Sequence, residues 1–593
     1  MPASPRSQLR GIKFPAWVRK RIPILKWGPA YDWDMFKKDL SAGITVGVVV
    51  IPQGIAYAML AELPPVWGLY GALMPLPIYA MLASSKHQSI GPFALVSIVI
   101  AETVTPVVAP EDQFGHHRHE YSAAVCLMSF MVGVMHLLMA WLKLDIVVVS
   151  FLSEPVLSGF TTASAILIAA SQLKHVLGLP IPRAQLPQML LYTYNNIYDA
   201  NGSAIVFGVM GVLVLDWLKR LNKWLCPNLP IPEQLLLLTG AIIICYKLYD
   251  DVAEAPPSPE HGWTSHWGKL QASDSHFWPP RLVGVVPAGL PSPKVPPLFN
   301  LELVGQLLLP SLVVGLFAYI LSMSIVRTMA IKYDYATDSN QELVAFGFAN
   351  LAGAFFSAYP AAGSLSRSAL VATSCGASCS PMHGVWTALI VLLVLVALTP
   401  AFRTLPYACL ASIVFASVKS LLDFGTPRRL WKLNRIDFVL WSVAFGSTLT
   451  LGVKMGIALS VTCSLVALIL QGMRPPHGLL GRLPGTSNYV ELRRHPEARQ
   501  MEGIAIFFFT STLRTHARTP PPRTHAAATH ARRRHAPLSF PPSSPPPSPS
   551  PPSPSPPPPS PPLSPPLSRL RSSCCSCCCL ASALTLPLAP LRC

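Results

Sequence analysis

The dominant pattern along the chain is a series of long apolar runs separated by short polar breaks, from about Ser41 to Met473. A helix of about 17–25 apolar residues is long enough to cross a hydrocarbon core about 30 Å thick. A soluble protein of this length would show shorter, amphipathic elements instead. The pattern therefore predicts an all-α polytopic membrane protein with its transmembrane domain over residues 41–473.

The apolar runs form two series on either side of a polar segment, residues 250–300, which is rich in Pro, Ser, Asp and Trp. The first series lies near 41–62, 66–83, 93–109, 121–141, 147–170, 203–218 and 233–249. The second lies near 305–328, 342–358, 364–375, 383–400, 406–422, 436–452 and 455–472. We predict seven transmembrane segments in each series, with 250–300 as an extramembrane loop. Residues 1–40 show no apolar core of a signal peptide.

Two of these runs are interrupted in corresponding places. "GPFALVS" (91–97) opens the third run of the first series, and "GSLSRSA" (363–369) opens the third run of the second. Interrupted segments in matching positions of two halves are typical of inverted-repeat secondary transporters. If both helices begin near the bilayer midplane, their unpaired N–H groups and positive dipole ends face one cavity and form an anion site.

Arg367 adds a full charge to the second interruption. A charge inside a membrane is costly and therefore indicates function. The alternative is an arginine that snorkels to the interface, but the apolar stretch "FGFANLAGAFFSAYP" precedes it without a long polar loop.

Net charge is +18, and its placement indicates a membrane partner rather than nucleic acid. The excess lies in residues 1–40, in 511–593, and in clusters between apolar runs: Lys219, Arg220, Lys223, Arg428, Arg429, Lys432 and Arg435. Basic loops mark the cytoplasmic side. We therefore predict that both termini and these clusters are cytoplasmic, and that 171–202 lies outside. The sequon at Asn201 would then be either a glycosylation site or a chance match.

Several longer motifs occur in one order along the chain. They are "DLSAGITVGVVVIPQGIAYAMLAELPPVWGLYGALMP" (39–75), "SIGPFALVS", "SEPVLSGFTTASA", "DSNQELVAFGFANLAGAFFSAYPAAGSLSRSA" and "ACLASIVFASVKSLLD". Together they resemble the sulfate permease (SulP) family of anion transporters over roughly residues 30–510. The resemblance implies a seven-plus-seven inverted repeat, with a core and a gate domain that work as an elevator, followed by a cytoplasmic STAS domain.

The same resemblance implies a set of substrate contacts. They are Gln53 and Tyr57 on the first helix, Phe93 at the start of the third, and Leu365, Ser366 and Arg367 at the start of the tenth. Their chemistry suits an oxyanion, because Gln53 and Ser366 can donate hydrogen bonds and the edges of aromatic rings are positive.

Three departures from the family pattern change the expectation. Leu321, in "YILSMSIVR", occupies the position where proton-coupled plant members carry a glutamate, which disfavours proton symport and favours exchange or uncoupled transport. Lys454 stands where the family often has an acid, so the turn between the last two helices should pair differently. The STAS domain begins at "MEGIAIFFF" (501–509) and stops, which makes 474–510 a linker and the start of an incomplete domain.

Residues 511–593 are rich in Pro, Ser and Arg and cannot build a folded domain. This composition is typical either of a disordered tail or of translated non-coding sequence, which would be a gene-model artefact. Because the STAS domain is incomplete, we expect any homodimer to form through the gate domain.

The remaining reactive residues predict no catalytic, metal or cofactor site. Of the thirteen cysteines, seven are scattered through the chain before the tail, where we expect free, core-like thiols, and six lie in the tail without zinc-ligand spacing. His116, His117 and His119 lie in a short loop without a carboxylate array. Glu62 and Glu154 lie at predicted helix ends, where we expect structural pairing. No nucleophile–base constellation or P-loop is present.

We therefore predict secondary active transport of inorganic anions, with sulfate first by family frequency, in the plasma membrane and without a cofactor. Two alternatives stay open. One is chloride/bicarbonate exchange, which Leu321 supports. The other is a motor or structural membrane protein that binds an anion without net transport, as prestin does.

Overall fold

The computed structural model describes residues 21–109, 119–145, 153–181, 184–225, 232–254, 280–284, 287, 289–473, 477–484, 486, 488–492, 495–500 and 506–509. The chain divides into two units, Met1–Thr515 and His516–Cys593, and all of the described residues belong to the first. The predictions for 511–593, and those for His116 and His117, lie outside the described residues.

Helices cover both predicted apolar series. The first half contains α1 (Ile24–Trp27), α2 (Trp33–Leu60), α3 (Val66–Leu73), α4 (Pro75–Leu82), α5 (Ala94–Val104), α6 (His119–Trp141), α7 (Glu154–Leu177), α8 (Leu186–Asn195), α9 (Gly202–Leu225) and α10 (Glu233–Glu254). The second half contains α11 (Leu301–Lys332), α12 (Ser339–Phe355), α13 (Leu365–Cys375), α14 (His383–Ala397), α15 (Tyr407–Val418), α16 (Gly425–Leu433) and α17 (Arg435–Met473). Helices α8 and α16 lie in segments that the apolar pattern leaves as loops.

Six of the helical stretches within the described residues are long and apolar enough to cross a membrane: Trp33–Leu60, His119–Trp141, Glu154–Leu177, Leu301–Lys332, Tyr407–Leu433 and Arg435–Ala467. Shorter apolar helices at Val66–Leu82, Ala94–Val104 and His383–Ala397 accompany them. The short helices are those next to interrupted or proline-rich sequence. The prediction of a polytopic helical membrane fold is confirmed, whereas the inverted repeat itself stays a prediction.

Helix α17 covers the last two predicted segments, and it breaks between them at Gly452. The φ of Gly452 is 85°, in the left-handed region that glycine tolerates. Just after the break, the backbone N–H of Lys454 donates to Oε2 of Glu102 on α5 at 3.0 Å. The carboxylate at this turn therefore comes from another helix. It binds the backbone, so the contact does not depend on the side chain at position 454.

The helices pack into two groups. In the core group (α2–α6 and α11–α14), α12 packs on α6, and both α13 and α14 pack on α2. In the gate group (α7, α9, α10 and α15–α17), α7 packs on α17 and α15, and α9 packs on α15. This partition places the predicted substrate contacts on the core group, at its boundary with the gate group.

Two small sheets complete the fold. Strands β1 (Ile90–Gly91) and β2 (Ala362–Gly363) pair antiparallel, with Ile90 opposite Gly363. Strands β3 (His477–Arg482), β4 (Tyr489–Glu491) and β5 (Ile506–Phe509) form a second sheet in the order β4-β3-β5. Strand β5 falls in the predicted beginning of the STAS domain, and that domain assignment stays a prediction.

The structure tests three of the sequence expectations, which concern the cysteines, Glu62 and the sequon at Asn201. Cys375 and Cys379 are bonded as a disulfide, so the expectation of free cysteines is wrong there: the turn after α13 brings their Cα atoms to 5.2 Å. Glu62 pairs with Lys174 at 3.1 Å, as expected for a structural role. The Asn201 side chain is buried and accepts from the backbone N–H of Ser203 at 2.9 Å, which disfavours glycosylation there.

Candidate anion-binding site

The site is built around the starts of two helices, α5 and α13, which follow the paired strands β1 and β2. Phe93 and Ser364 are the residues preceding the first turns, and both have extended backbones. Neither side chain accepts a hydrogen bond from the backbone N–H groups of its own helix. Because the first N–H groups of a helix lack intrahelical acceptors, both helix starts can receive an anion.

Arg367 lies in the first turn of α13 and is fully buried, with 0% of its surface exposed. Its Nη1 donates to the carbonyl oxygen of Pro92 at 2.8 Å, which joins α13 to the segment before α5. Its Nε and Nη2 have no hydrogen-bond partner in the part of the chain that the structure describes. A buried guanidinium with two unused donor nitrogens is costly unless a further acceptor binds there.

The electrostatic surroundings of Arg367 contain tyrosines rather than acids. Among the described titratable groups, Tyr57 and Tyr359 are the ones that interact electrostatically with it. Within that part of the chain, no carboxylate lies within ion-pair distance of Arg367. The site therefore keeps a net positive charge, which an anionic ligand would neutralise.

Helix α2 supplies one wall of the site. Gln53 and Tyr57 are four residues apart and so lie on one face of the helix. Gln53 is 2% exposed, and its Oε1 has no hydrogen-bond partner among the described residues. An anion would have to bind the amide through its N–H donors. Tyr57 interacts both with Arg367 and with Ser417 at the end of α15 in the gate group.

The start of α13 is open on its other side. Leu365 is 47% exposed and Ser366 is also exposed, in contrast to the buried residue that follows them. The hydroxyl groups of Ser364 and Ser366 lie 3.1 Å apart and form a hydrogen bond. This edge of the site is the one that a ligand from solution can reach.

The strands hold the two helix starts together. Gly91 has a φ of +139°, which side-chain-bearing residues rarely adopt, and a Cβ at this position would lie 3.6 Å from Nη2 of Arg367. Ser368 Oγ accepts from the backbone N–H of Ser89 at 3.1 Å, and Ser322 Oγ accepts from that of Gly363 at 2.8 Å. The site is thus supported by main-chain contacts from three segments.

Five of the six predicted residues meet at this junction in the structure: Tyr57, Phe93, Leu365, Ser366 and Arg367. Gln53 lies on α2, one helical turn before Tyr57. The role of all six in substrate binding stays a prediction. Sequence reasoning missed the Pro92 carbonyl and Tyr359, whose buried hydroxyl faces Ser97. Tyr359 stands just before a proline in an otherwise apolar run, and this signal could have identified it.

Comparison with known proteins places this chain in one class, multi-pass membrane transporters. The chain is 33% identical over 515 residues to human solute carrier family 26 member 6, covering 84% of this chain and 63% of the relative. It is also 33% identical over 504 residues to the probable sulfate transporter 4.2 of Arabidopsis thaliana, covering 84% and 69%. The chain thus spans about two thirds of the length of these relatives.

A solved structure has the same fold. The murine solute carrier 26 family member A9 anion transporter, in its inward-facing state, superimposes with a TM-score of 0.68 at 24% identity, covering 84% of this chain and 79% of that one. The sulfate permease family model matches residues 36–444. The chain belongs to the sulfate permease family, a family of transporters and not of enzymes. It is a multi-pass integral membrane protein.

Proposed function

We propose that this protein is a secondary active transporter of inorganic anions and that sulfate is its principal substrate. The observation that carries the proposal is Arg367, which is buried at the start of α13 with two unused donor nitrogens and no carboxylate partner among the described residues. A tetrahedral oxyanion offers several acceptors, which suit the Arg367 donors together with the N–H groups at the two helix starts. The sulfate transporters among the relatives support this substrate class.

We propose an elevator mechanism, in which the core group moves past the gate group with the anion bound. Two contacts support this division, because each joins one group to the other. Glu62, after α2, pairs with Lys174 on α7, and Glu102 on α5 accepts from the Lys454 N–H on α17. The predicted orientation puts both contacts on the outer side. They would hold the outer entrance closed and must break for it to open.

Chloride/bicarbonate exchange is the second candidate, and Leu321 favours it. This residue is buried on α11, 7% exposed, and its neighbour Ser322 binds strand β2 beside the site. A leucine there cannot carry a proton with the substrate, so symport lacks its expected group. Exchange of one anion for another needs no such group.

Flux in proteoliposomes tests these proposals. Sulfate exchange is supported if uptake of labelled sulfate saturates, requires an anion on the opposite side of the membrane and is unaffected by a protonophore. Chloride-dependent bicarbonate flux without sulfate flux would replace sulfate by the second candidate. Sulfate accumulation driven by a pH gradient alone, and abolished by a protonophore, would contradict the absence of proton coupling. Binding without any flux would contradict transport.

We also propose that the protein is a homodimer in the plasma membrane. The gate helix α17 carries exposed apolar side chains that a second copy could cover: Leu459, Leu465, Val466, Ile469 and Leu470. Single-cysteine cross-linking along α17 in native membranes, together with cell-surface biotinylation, tests both statements. Monomers alone, or retention in an internal membrane, would contradict them.

A further inference from the structure

The end of helix α13 opposite the anion site contains a disulfide. Cys375 is the last residue of the helix, and Cys379 follows the turn Gly376–Ser378. Their Cα atoms are 5.2 Å apart, within the usual range for bonded cysteines. Both cysteines are buried, but Ala377 and Ser378 of the intervening turn are exposed. The pair therefore lies one layer beneath a surface turn.

Both sulfur atoms also have acceptors that only a thiol can use. Cys379 Sγ lies 3.9 Å from Oδ1 of Asp39 on α2, and Cys375 Sγ lies 3.1 Å from the carbonyl oxygen of Val371. Asp39 is itself held by Ser380, whose N–H donates at 3.0 Å and whose hydroxyl also donates. In the reduced pair, each thiol could donate a hydrogen bond to its acceptor, so that no buried polar group would be left unsatisfied. The surroundings therefore suit the thiol form as well as the disulfide.

The position of the pair argues against a purely structural bond. The predicted orientation puts this end of α13 on the cytoplasmic side, where disulfides are usually transient, catalytic or redox-sensing. The bond also closes a loop with only three intervening residues. In the chain-entropy model, such short loops give a disulfide its smallest stabilising effect.

Helix α13 and its neighbours join the cysteine pair to the anion site. Helix α13 runs from Leu365 to Cys375, so along the helix axis about 15 Å separates Leu365 from Cys375 and about 12 Å separates Arg367 from Cys375. Asp39 lies on α2, the helix that carries Gln53 and Tyr57. His87, in the loop before β1, contacts the carbonyl oxygen of Gly376 through Nε2 at 2.7 Å. The turn thus touches three of the segments that build the site.

We propose that Cys375 and Cys379 form a thiol–disulfide exchange site that controls how firmly the start of α13 is held. The oxidant is a small disulfide such as oxidised glutathione. One cysteine thiolate attacks it, forming a mixed disulfide and releasing one glutathione thiolate. The second cysteine thiolate then attacks the bonded cysteine sulfur and releases the other. The protein loses two protons and two electrons, and the oxidant becomes two molecules of glutathione.

Oxidation fixes the turn, and a preorganised site binds more tightly. We therefore expect the oxidised form to bind the anion about fivefold more tightly, at the lower end of typical coupling between two sites. This effect on transport rests on the proposed function, whereas the exchange chemistry does not. The two are measured separately.

The first measurement reads the cysteines directly. Cells expressing the full chain are sampled before and after a brief peroxide treatment, which raises oxidised glutathione. Each sample is quenched in acid and its free thiols are alkylated. Mass spectrometry then quantifies the reduced and oxidised forms of the peptide that contains both cysteines. We expect a reduced pair at rest and a disulfide after treatment. The proposal would be overturned if the pair is oxidised in resting cells and is reduced only by an impermeant reductant added outside. The bond would then be a permanent disulfide on the outer side of the membrane.

The second measurement uses the purified full chain in proteoliposomes, equilibrated with buffers of reduced and oxidised glutathione. We expect the apparent sulfate affinity to follow the redox ratio in the wild type and in Cys463→Ser, a control at a partly exposed free cysteine. Cys375→Ser and Cys379→Ser should each abolish the response while keeping flux. If one variant fails to fold, the other carries the comparison. Redox-independent affinity in the wild type would overturn the coupling.

Two further outcomes have definite meanings. Switching of the cysteines without any anion flux would support the exchange site and contradict the proposed function. The ligand atoms of Asp39, Cys375 and Cys379 also lie within 4.8 Å of one another. Zinc that copurifies with the reduced wild type in a 1:1 ratio, and is lost in Cys375→Ser, would overturn the proposal in favour of a metal site.

Discussion

The two helix starts that meet at the candidate site have similar backbones and different chemistry. Helix α5 begins with Pro92 and Phe93 and contributes a carbonyl oxygen, a ring and main-chain N–H groups. Helix α13 begins with Ser366 and Arg367 and contributes a hydroxyl and a full positive charge. The start of α13 carries a charged side-chain donor and the start of α5 does not, so discrimination among anions should depend mainly on α13. The first start shapes the site and orients Arg367 through the Pro92 carbonyl.

Removal of the charge from α13 should have the largest effect. We expect Arg367→Ala to weaken anion affinity by about 1–3 kcal/mol, or roughly 5- to 150-fold, because a charge-assisted partner is lost. Arg367→Lys should recover part of this, since lysine lacks the planar fork. Uptake measured over a range of sulfate concentrations gives the affinity. Arg429→Ala, at an exposed arginine on α16, is the matched control. Equal affinity in both variants would contradict the site.

A side chain at Gly91 tests how much the strand pair matters. Gly91→Ala puts a Cβ on a backbone with φ +139° beside the Arg367 guanidinium. Strained backbone conformations of this kind cost about 1–3 kcal/mol. We expect lower thermal stability and weaker sulfate binding together, measured by fluorescence-detected melting and by uptake. Gly305→Ala on α11, where a Cβ meets no neighbour within 4 Å, is the control. Unchanged sulfate affinity in Gly91→Ala despite lower thermal stability would show that the strand pair stabilises the fold without affecting anion binding.

The hydroxyl at the start of α13 should matter less than the charge. We expect Ser366→Ala to lower anion affinity by about 0.5–1.5 kcal/mol, the typical net effect of one neutral hydrogen bond. Ser420→Ala, at an exposed serine whose hydroxyl bonds only its own helix turn, controls for loss of a hydroxyl elsewhere. Concentration-dependent uptake provides the readout. A loss as large as that of Arg367→Ala would mean that α13 acts mainly through its backbone and hydroxyl groups.

The outer ion pair should have the smallest effect on affinity. Glu62→Gln removes one charge of a partly exposed pair with Lys174, and such pairs contribute about 0–1 kcal/mol. We expect the site to become more accessible from outside. The readout is labelling of Leu365→Cys with an impermeant thiol reagent, with and without Glu62→Gln. Glu497→Gln, in an exposed pair with His495, is the control. Unaltered labelling would indicate that this pair does not hold the outer entrance.

Sequence alone could predict most of the membrane fold, because long apolar runs and interrupted segments have direct physical causes. Helices cover the predicted runs, and α5 and α13 begin where "GPFALVS" and "GSLSRSA" indicate. What depends on distant contacts could not be predicted in this way. The pairing of β1 with β2 and the Glu102 contact with α17 each join residues that are far apart in the sequence. The disulfide after α13 joins cysteines only four residues apart, but it depends on the geometry of the turn between them, which composition does not indicate.

The six site residues illustrate the same limit. Arg367 could be found because a charge in an apolar run is conspicuous, and motif resemblance suggested the others. The Pro92 carbonyl that orients Arg367 leaves no signal in composition or periodicity, since any residue has a carbonyl. Only the fold shows that this one faces the guanidinium.

The central claim is that an oxyanion binds between the two helix starts, against the unused nitrogens of Arg367. The most direct measurement is an experimental structure with selenate, a heavier analogue of sulfate whose anomalous or density signal locates the anion. We expect one selenate within hydrogen-bond distance of Nη2 of Arg367, between Phe93 and Ser366. Selenate bound elsewhere in the core group, or Arg367 paired with a carboxylate in place of the anion, would contradict the claim.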